Sequence, residues 1–261
     1  MNDQIQALKA EIIKNKHSKI IWITFIAFAL APLMGGLFLF IMKYPEKVSL
    51  SGMLKVKAGM LAFSTNWKSY LSLLSQAIGV GGVLIFGFVA SWLFGREYSD
   101  GTVKDLLALP VSRTKILNAK FIYYFFWCLS LSISNLVIGL LIGLLLNLDG
   151  WDMDLLIPGL EIYFISAILT IMLNTPIAFF ALSGKGYLAP LGFVAITLVL
   201  SQIIAAAGFG NYFPWSIPGL YSVFGGGPGL GLNNLSYAIL LLTSVLGYLL
   251  TILWWKYSDQ V

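Results

Sequence analysis

Cysteine and histidine occur only once each in this sequence, as Cys128 and His17. A lone cysteine excludes both an intramolecular disulfide and a cysteine metal cluster. His17 lies among lysines and lacks the partners that a ligand or catalytic histidine needs, so we interpret it as a polar group at a membrane interface.

Charged residues are also scarce. They make up 10% of the 261 residues, whereas soluble domains carry about 25%. Between Lys185 and Lys256 there is no Asp, Glu, Lys or Arg, and 59% of the chain is hydrophobic. This composition predicts an integral membrane protein. The net charge of +5 comes from connecting segments, which favours membrane lipid headgroups as partners and argues against nucleic acid.

The groups that catalysis requires are missing as well. No acidic residue lies well inside an apolar stretch, and no G-x-x-x-x-G-K-[ST] phosphate loop is present. We therefore predict no catalytic residues, no metal and no cofactor bound by this chain. A proton-driven carrier is disfavoured for the same reason, while sodium coupling through carbonyls and hydroxyls stays open. If transport is active, another chain must bind the ATP.

Long apolar runs are what the sequence does contain. About 20 residues cross the hydrocarbon core as a helix, and backbone groups in lipid must be satisfied within the segment. The first run is longer than a signal-peptide core and lacks an A-x-A site, so we expect it to be retained. The prediction is an all-α membrane protein forming one transmembrane permease domain over 1–261, with six spans at about 20–42, 70–94, 121–146, 162–182, 187–207 and 235–255.

The distribution of lysine and arginine predicts the orientation. With the N-terminus inside, eleven of these residues lie on the cytoplasmic side and five on the other, so both termini are expected in the cytoplasm. The first outer loop is the discordant segment, since it holds Lys47, Lys55 and Lys57. We expect it to lie on the outer membrane surface; a lysine patch that attracts an anionic substrate is the alternative.

Two further segments resemble neither spans nor solvated loops. Ile5, Leu8 and Ile12 recur at helical spacing, which predicts an interfacial amphipathic helix over residues 1–19. The connection between spans five and six is rich in Gly, Pro and aromatic residues but has no charge. It is predicted to form a re-entrant or interfacial element, with Tyr212 and Tyr221 among the aromatics at headgroup depth.

Several spans contain polar side chains. Such groups most often hold helices together, and the competing interpretation is substrate contact. Gln76 and Asn135 are the strongest candidates for contact, because an unpaired amide in lipid is costly. The candidate substrate pathway comprises Ser72, Ser75, Gln76 and Asn135.

The most charged stretch, GREYSDGTVKDLLALPVSR, joins spans two and three. Ser99 or Asp100 is predicted to cap a helix of roughly two turns that ends before Pro110. Its apolar face comprises Val103, Leu106 and Leu107, and its polar face Lys104 and Asp105. On these grounds alone, docking of a soluble partner and contact with headgroups are equally favoured.

The segment REYSDGTVKDLLALPVSRTKILNAK, from Arg96 to Lys120, resembles the cytoplasmic segment of type 2 ATP-binding-cassette (ABC) permeases, closest to the subgroup for bacitracin and lantibiotic export or immunity. The matching residues are Glu97, Gly101, Thr102, Leu106, Leu107, Pro110, Ser112, Arg113 and Lys120. The six-span plan and the broken segment FPWSIPGLYS extend the resemblance over the chain.

The resemblance implies a coupling helix within residues 96–115 on which cytosolic ABC ATPase subunits dock. Two ATPase copies, carrying ATP and Mg, would work with a second permease subunit, identical or homologous. Val103, Leu106 and Leu107 would fill a groove on the ATPase, and charges would set the register, while Arg113 and Lys115 would face lipid. The expected coupling residues are Arg96, Glu97, Asp100, Gly101, Thr102, Val103, Lys104, Leu106, Leu107, Pro110 and Arg113.

The expected function is that of a permease subunit in an ATP-driven exporter of the bacterial cell membrane. Its substrate would be an antimicrobial peptide or another amphipathic molecule, so the activity would confer immunity or resistance. Two alternatives remain at this point: an ATP-independent channel or secondary carrier, and a scaffold or sensor that transports nothing.

Overall fold

The computed structural model of the chain describes residues 2–44, 64–107, 111–225 and 232–257. Within these ranges the regular structure is helical, and one isolated bridge joins Asn66 to Asp149. The prediction of an all-α protein is therefore confirmed. The helices are α1 (Asn2–Asn15), α2 (Lys19–Lys43), α3 (Trp67–Ser99), α4 (Val103–Leu107), α5 (Arg113–Leu145), α6 (Met153–Leu173), α7 (Thr175–Ser183), α8 (Leu188–Ala206), α9 (Ile217–Phe224) and α10 (Asn234–Tyr257).

Six helical segments are long and apolar enough to cross a membrane, as predicted: α2, α3, α5, α6 together with α7, α8, and α10. Their outward surfaces are apolar, and on α2 the side chains of Ile26, Leu30 and Met34 are at least half exposed. Such faces are suited to lipid. The predicted segments in residues 45–63, including the lysines of the first outer loop, lie outside the described residues.

Helices α3 and α5 are longer than the predicted spans. Each has 33 residues, which corresponds to about 50 Å of helix against a hydrocarbon core of about 30 Å. Arg96 and Glu97 therefore belong to the last turn of α3 rather than to a loop. At the other side of the connection, the Ser112 side chain accepts a hydrogen bond from the Lys115 amide and caps α5, as its sequence position predicts.

Two of the spans are irregular. Within α3, residues Ala77–Gly81 form a π-helical turn. The fourth span is interrupted at Asn174, because Pro176 lacks the amide that would continue the helical hydrogen bonds. The Thr175 hydroxyl lies 2.9 Å from the Ser244 carbonyl oxygen, so the interruption is attached to α10.

The connection before α10 contains two 3₁₀ turns, Gly210–Tyr212 and Pro214–Ser216, followed by α9. Helix α9 packs on α6 and on the π-helical turn. Tyr212 is exposed, whereas Tyr221 is only 7% exposed and its ring lies beside that of Tyr237 of α10. The headgroup depth expected of both rings stays a prediction.

Helix α1 packs along α5 and directs Glu11 and Asn15 inward. Ile5, Ile12 and Ile13 point away from the bundle and are 47%, 47% and 71% exposed. This arrangement agrees with the predicted amphipathic helix, with one difference. The side that faces the protein is polar, and this polarity determines the site described next.

Candidate coupling site

A cluster of charged side chains joins α1, α3 and α5 beside α4. We define the ionic cluster as Glu11, Lys14, Asn15, Arg96, Glu97, Thr102 and Lys120. Four of its members, Glu97, Lys120, Glu11 and Arg96, are only 1%, 1%, 5% and 6% exposed. Buried charges are stable in a protein only when they are paired and hydrogen-bonded.

Glu97 is the central acceptor of the ionic cluster. The Lys14 ammonium lies 2.6 Å from each of its carboxylate oxygens. Lys120 Nζ donates to Glu97 Oε1 at 3.1 Å, and the Thr102 hydroxyl donates to Glu97 Oε2 at 2.7 Å. Glu97 therefore binds one residue from α1, one from α5 and one from the link to α4.

The remaining contacts complete this arrangement. Lys120 Nζ also lies 3.0 Å from Glu11 Oε1. Arg96 Nη1 donates to Asn15 Oδ1 at 2.6 Å, and its guanidinium lies 4.7 Å from the centre of the Trp92 ring. A buried network with this many charge-assisted hydrogen bonds fixes its helices relative to one another.

The turn between α3 and α4 is held by the same glutamate. Besides the hydroxyl contact, the Thr102 amide donates to the Glu97 carbonyl at 2.9 Å. Gly101 has a φ of +71°, a conformation that favours glycine. Asp100 ends α3, and the Ser99 hydroxyl lies 3.5 Å from the Gly95 carbonyl oxygen. The prediction that Ser99 or Asp100 caps α4 is therefore wrong, because α3 extends through Ser99.

Helix α4 turns its apolar face toward its own chain. Val103 is 5% exposed, and Leu106 lies beside Ala10 of α1 and Ile116 of α5. Val103 is part of the hydrophobic core, and the half-buried Leu106 packs against it. The contact of these two side chains with an ATPase groove stays a prediction. The side chain of Leu107 and all of Pro110 lie outside the described residues. The described part of the helix is Val103–Leu107, and its predicted length of two turns stays a prediction.

The outward face of α4 is polar. Lys104 and Asp105 of α4 are exposed, as are Asp100 and Gly101 of the turn that precedes it. Arg96 and Glu97 are not part of this face, so the direct charge pairing with a partner that was expected of them does not fit their burial. Of the predicted coupling charges, Asp100, Lys104 and Arg113 are exposed.

Arg113 and Lys115 bind groups of this chain, and the contacts with lipid expected of them stay a prediction. Arg113 Nη1 donates to the carbonyl oxygens of Trp255 and Lys256 at 3.3 and 3.4 Å, where a cation is favourable at the end of α10. Lys115 Nζ donates to Asp3 at 2.6 Å. This hydrogen bond and the lysine charge hold the pKa of Asp3 below its usual value.

The predicted substrate-pathway residues fall into two places. Ser72, Ser75 and Gln76 lie near the end of α3 that is distant from α4, and the Gln76 amide donates to the Ser72 hydroxyl at 3.1 Å. Ser72 and Ser75 line a cavity of about 330 Å³. Asn135 lies elsewhere: its amide donates to the Phe28 carbonyl at 2.9 Å, and its carbonyl accepts from Tyr163. This amide therefore holds three helices together.

The contribution of α1 to the ionic cluster is absent from our sequence predictions. Glu11, Lys14 and Asn15 are spaced three and four residues apart, so they form a polar stripe on one face of α1. A polar stripe on an amphipathic helix normally faces water. For this reason the sequence alone did not predict that these residues pair with charges on α3 and α5. Within the described residues, no group of three His, Cys, Asp or Glu side chains is placed to hold a metal ion.

The fold and this site together define a multi-pass membrane protein with a short helix linked by buried charges to the ends of two spans. Residues 7–202 match the family model described as ABC-2 family transporter protein. The match covers most of the chain, including the second part of α1, all of α4 and the ionic cluster. The chain belongs to the ABC-2 transporter family and is a multi-pass membrane protein.

One relative indicates a subgroup within this family. The chain is 33% identical over 135 residues to the bacitracin transport permease protein BCRB of Bacillus licheniformis. The aligned region covers 52% of this chain and 65% of the relative. This similarity agrees with the bacitracin and lantibiotic subgroup that the sequence motif indicated.

Proposed function

We propose that this chain is the membrane-spanning subunit of an ATP-driven exporter and that a cytosolic ABC ATPase docks on α4. ATP and Mg would be bound by the ATPase and not by this chain. The observation that carries the proposal is the position of α4, whose exposed polar face is attached through Glu97 to α1, α3 and α5. A movement imposed on α4 would thus reach two spans.

The coupling residues divide into two groups by their accessibility. The contact surface comprises Asp100, Gly101, Lys104 and Asp105, which are exposed. Positioning roles fall to Arg96, Glu97, Thr102, Val103 and Leu106, which hold α4 in place. We keep Leu107 and Pro110 as proposed coupling residues from the sequence motif, and Arg113 would fix the start of α5 to the end of α10.

The assembly we propose contains two ATPase subunits and a second permease, identical or homologous to this chain. Both termini would lie in the cytoplasm, as the excess of lysine and arginine on that side supports. This orientation places α4 where a cytosolic ATPase can reach it. It also places the exposed isoleucines of α1 at the inner leaflet of the membrane.

The proposed substrate is an antimicrobial peptide or another amphipathic molecule. The name of the bacitracin permease relative supports a peptide antibiotic. Few charged groups are available in the apolar bundle, so a strongly charged, hydrophilic substrate would find little to replace its hydration. Export of such a peptide would protect the cell that carries this permease.

Purification from its native membrane in mild detergent tests this function. We expect the tagged chain to bring with it an ABC ATPase, identified by mass spectrometry, and the complex to hydrolyse Mg-ATP. Bacitracin is expected to raise the rate of hydrolysis. A chain that is recovered intact and folded but without any ATPase, and that conducts ions or carries solutes in vesicles, would contradict the proposal.

A further inference from the structure

The cavity beside Ser72 and Ser75 lies at the end of the bundle distant from the ionic cluster. It is formed by the first turns of α3, the first turns of α6 and the end of α9, and its volume is about 330 Å³. Sites for small molecules and apolar groups typically have volumes of about 300 to 1,000 Å³. The cavity is thus large enough for one or two large apolar side chains.

Polarity changes with depth in this cavity. At the rim, Lys68 and Asp154 are exposed and supply one charge of each sign. The deeper residues Ser75 and Ser222 are 1% and 2% exposed and supply hydroxyl groups. Most of the remaining wall is apolar and comprises Leu71, Leu155, Pro158, Gly159, Ile162 and Val223.

The floor of the cavity is built against the π-helical turn of α3. A Cβ atom added to Gly79 would lie 2.5 Å from the Pro218 carbonyl oxygen and 2.7 Å from the Ser222 hydroxyl. The absence of a side chain at Gly79 therefore permits α9 to approach and Ser222 to reach the cavity. Such π-helical turns often occur at functional sites because they interrupt the regular helix.

We propose that this cavity binds the apolar side chains of an amphipathic peptide, with polar groups of the peptide placed between Lys68 and Asp154. The inference rests on the proposed export function and names a binding site for its substrate. Rim groups of opposite charge match the mixed polar groups of a peptide. The Ser222 hydroxyl donates to the Gly219 carbonyl at 2.7 Å, so its oxygen can accept a hydrogen bond from a peptide amide, and the Ser75 hydroxyl can also bind an amide. A lipid acyl chain offers neither hydroxyl a hydrogen bond.

A pair of neighbouring tryptophan substitutions tests the site in the purified complex. Val223 lines the cavity and is 47% exposed, so Val223→Trp fills space without entering the core. Phe224 is 45% exposed but does not line the cavity, so Phe224→Trp is the matched control. We expect Val223→Trp to raise the bacitracin concentration needed for half-maximal stimulation of ATP hydrolysis about tenfold or more. Phe224→Trp is expected to match the wild type in both basal and stimulated hydrolysis.

Labelling of a cysteine at residue 72 gives a second readout that needs no ATPase. Cys128 is buried and is the only native cysteine, so a maleimide is expected to react with the Ser72→Cys variant alone. Bacitracin is expected to slow this reaction. If bacitracin does not change the labelling rate and Val223→Trp is stimulated normally, the cavity is not the peptide-binding site. ATPase binding in the same complex would show that the proposed exporter function still stands. If phosphatidylglycerol vesicles protect the cysteine at residue 72 from the maleimide and bacitracin does not, the occupant of the cavity is a lipid. This result would also overturn the proposed peptide-binding site.

Discussion

Replacement of Glu97 by glutamine is expected to lower the free energy of unfolding by about 3–5 kcal/mol, the cost of breaking one side of a buried ion pair. The neutral amide would leave Lys14, Arg96 and Lys120 with one carboxylate, that of Glu11, in place of two. The hold of Glu97 on Thr102 would also weaken. In the complex we expect ATP hydrolysis to lose its response to substrate.

Thermal unfolding of the purified chain in detergent measures the effect on stability. Asp3→Asn is the control, because Asp3 and Lys115 form an exposed carboxylate–lysine pair, which contributes little; we expect no measurable shift. The double variant Glu97→Gln with Lys14→Met removes one charge of each sign and keeps the Lys120–Glu11 ion pair, and it should be more stable than Glu97→Gln alone. Equal stability of Glu97→Gln and wild type would show that the ionic cluster does not hold the helices.

Reversal of the two exposed charges on α4, Lys104→Glu with Asp105→Lys, is expected to reduce ATPase binding about tenfold or more. Both side chains point away from the chain, so the stability of the permease itself should not change. The double substitution keeps the net charge constant, and a loss of binding would therefore reflect the position of the charges rather than their sum.

Co-purification at increasing salt measures this effect, since charge pairing weakens with ionic strength. Lys16→Glu is the control, because Lys16 is exposed between α1 and α2 and lies outside α4. We expect this variant to retain the ATPase. Full retention of the ATPase by the charge-reversed α4 at every salt concentration would exclude its polar face as the contact surface.

The six spans could be predicted from the sequence because each is a long apolar run, and lipid admits few alternatives to a helix. The charged motif that begins at Arg96 likewise indicated the position of α4, because it is a local sequence pattern. The interruption at Asn174 is also visible in the sequence, as Pro176. In these cases the deciding information is local, since it lies within a few residues of the feature.

The orientation of α4 could not be predicted, because it depends on a distant part of the chain. Val103 and Leu106 are apolar whether they face an ATPase or the core of their own chain, and helical spacing does not distinguish these two environments. Glu11 and Glu97 are 86 positions apart in the sequence, yet Lys120 binds both of them. These charged residues are buried and paired only when α1, α3 and α5 pack together, and the sequence does not show that packing.

Crosslinking tests most directly the central claim that the exposed face of α4 contacts an ATPase. In this account the ionic cluster holds α4 in position. A maleimide crosslinker on an Asp105→Cys variant has one accessible thiol, since Cys128 is buried. We predict a covalent product with the ATPase from Asp105→Cys and none from Asp152→Cys, an exposed position at the opposite end of the bundle. An intact complex that gives no ATPase product from residue 105, or gives it only from residue 152, would contradict the account.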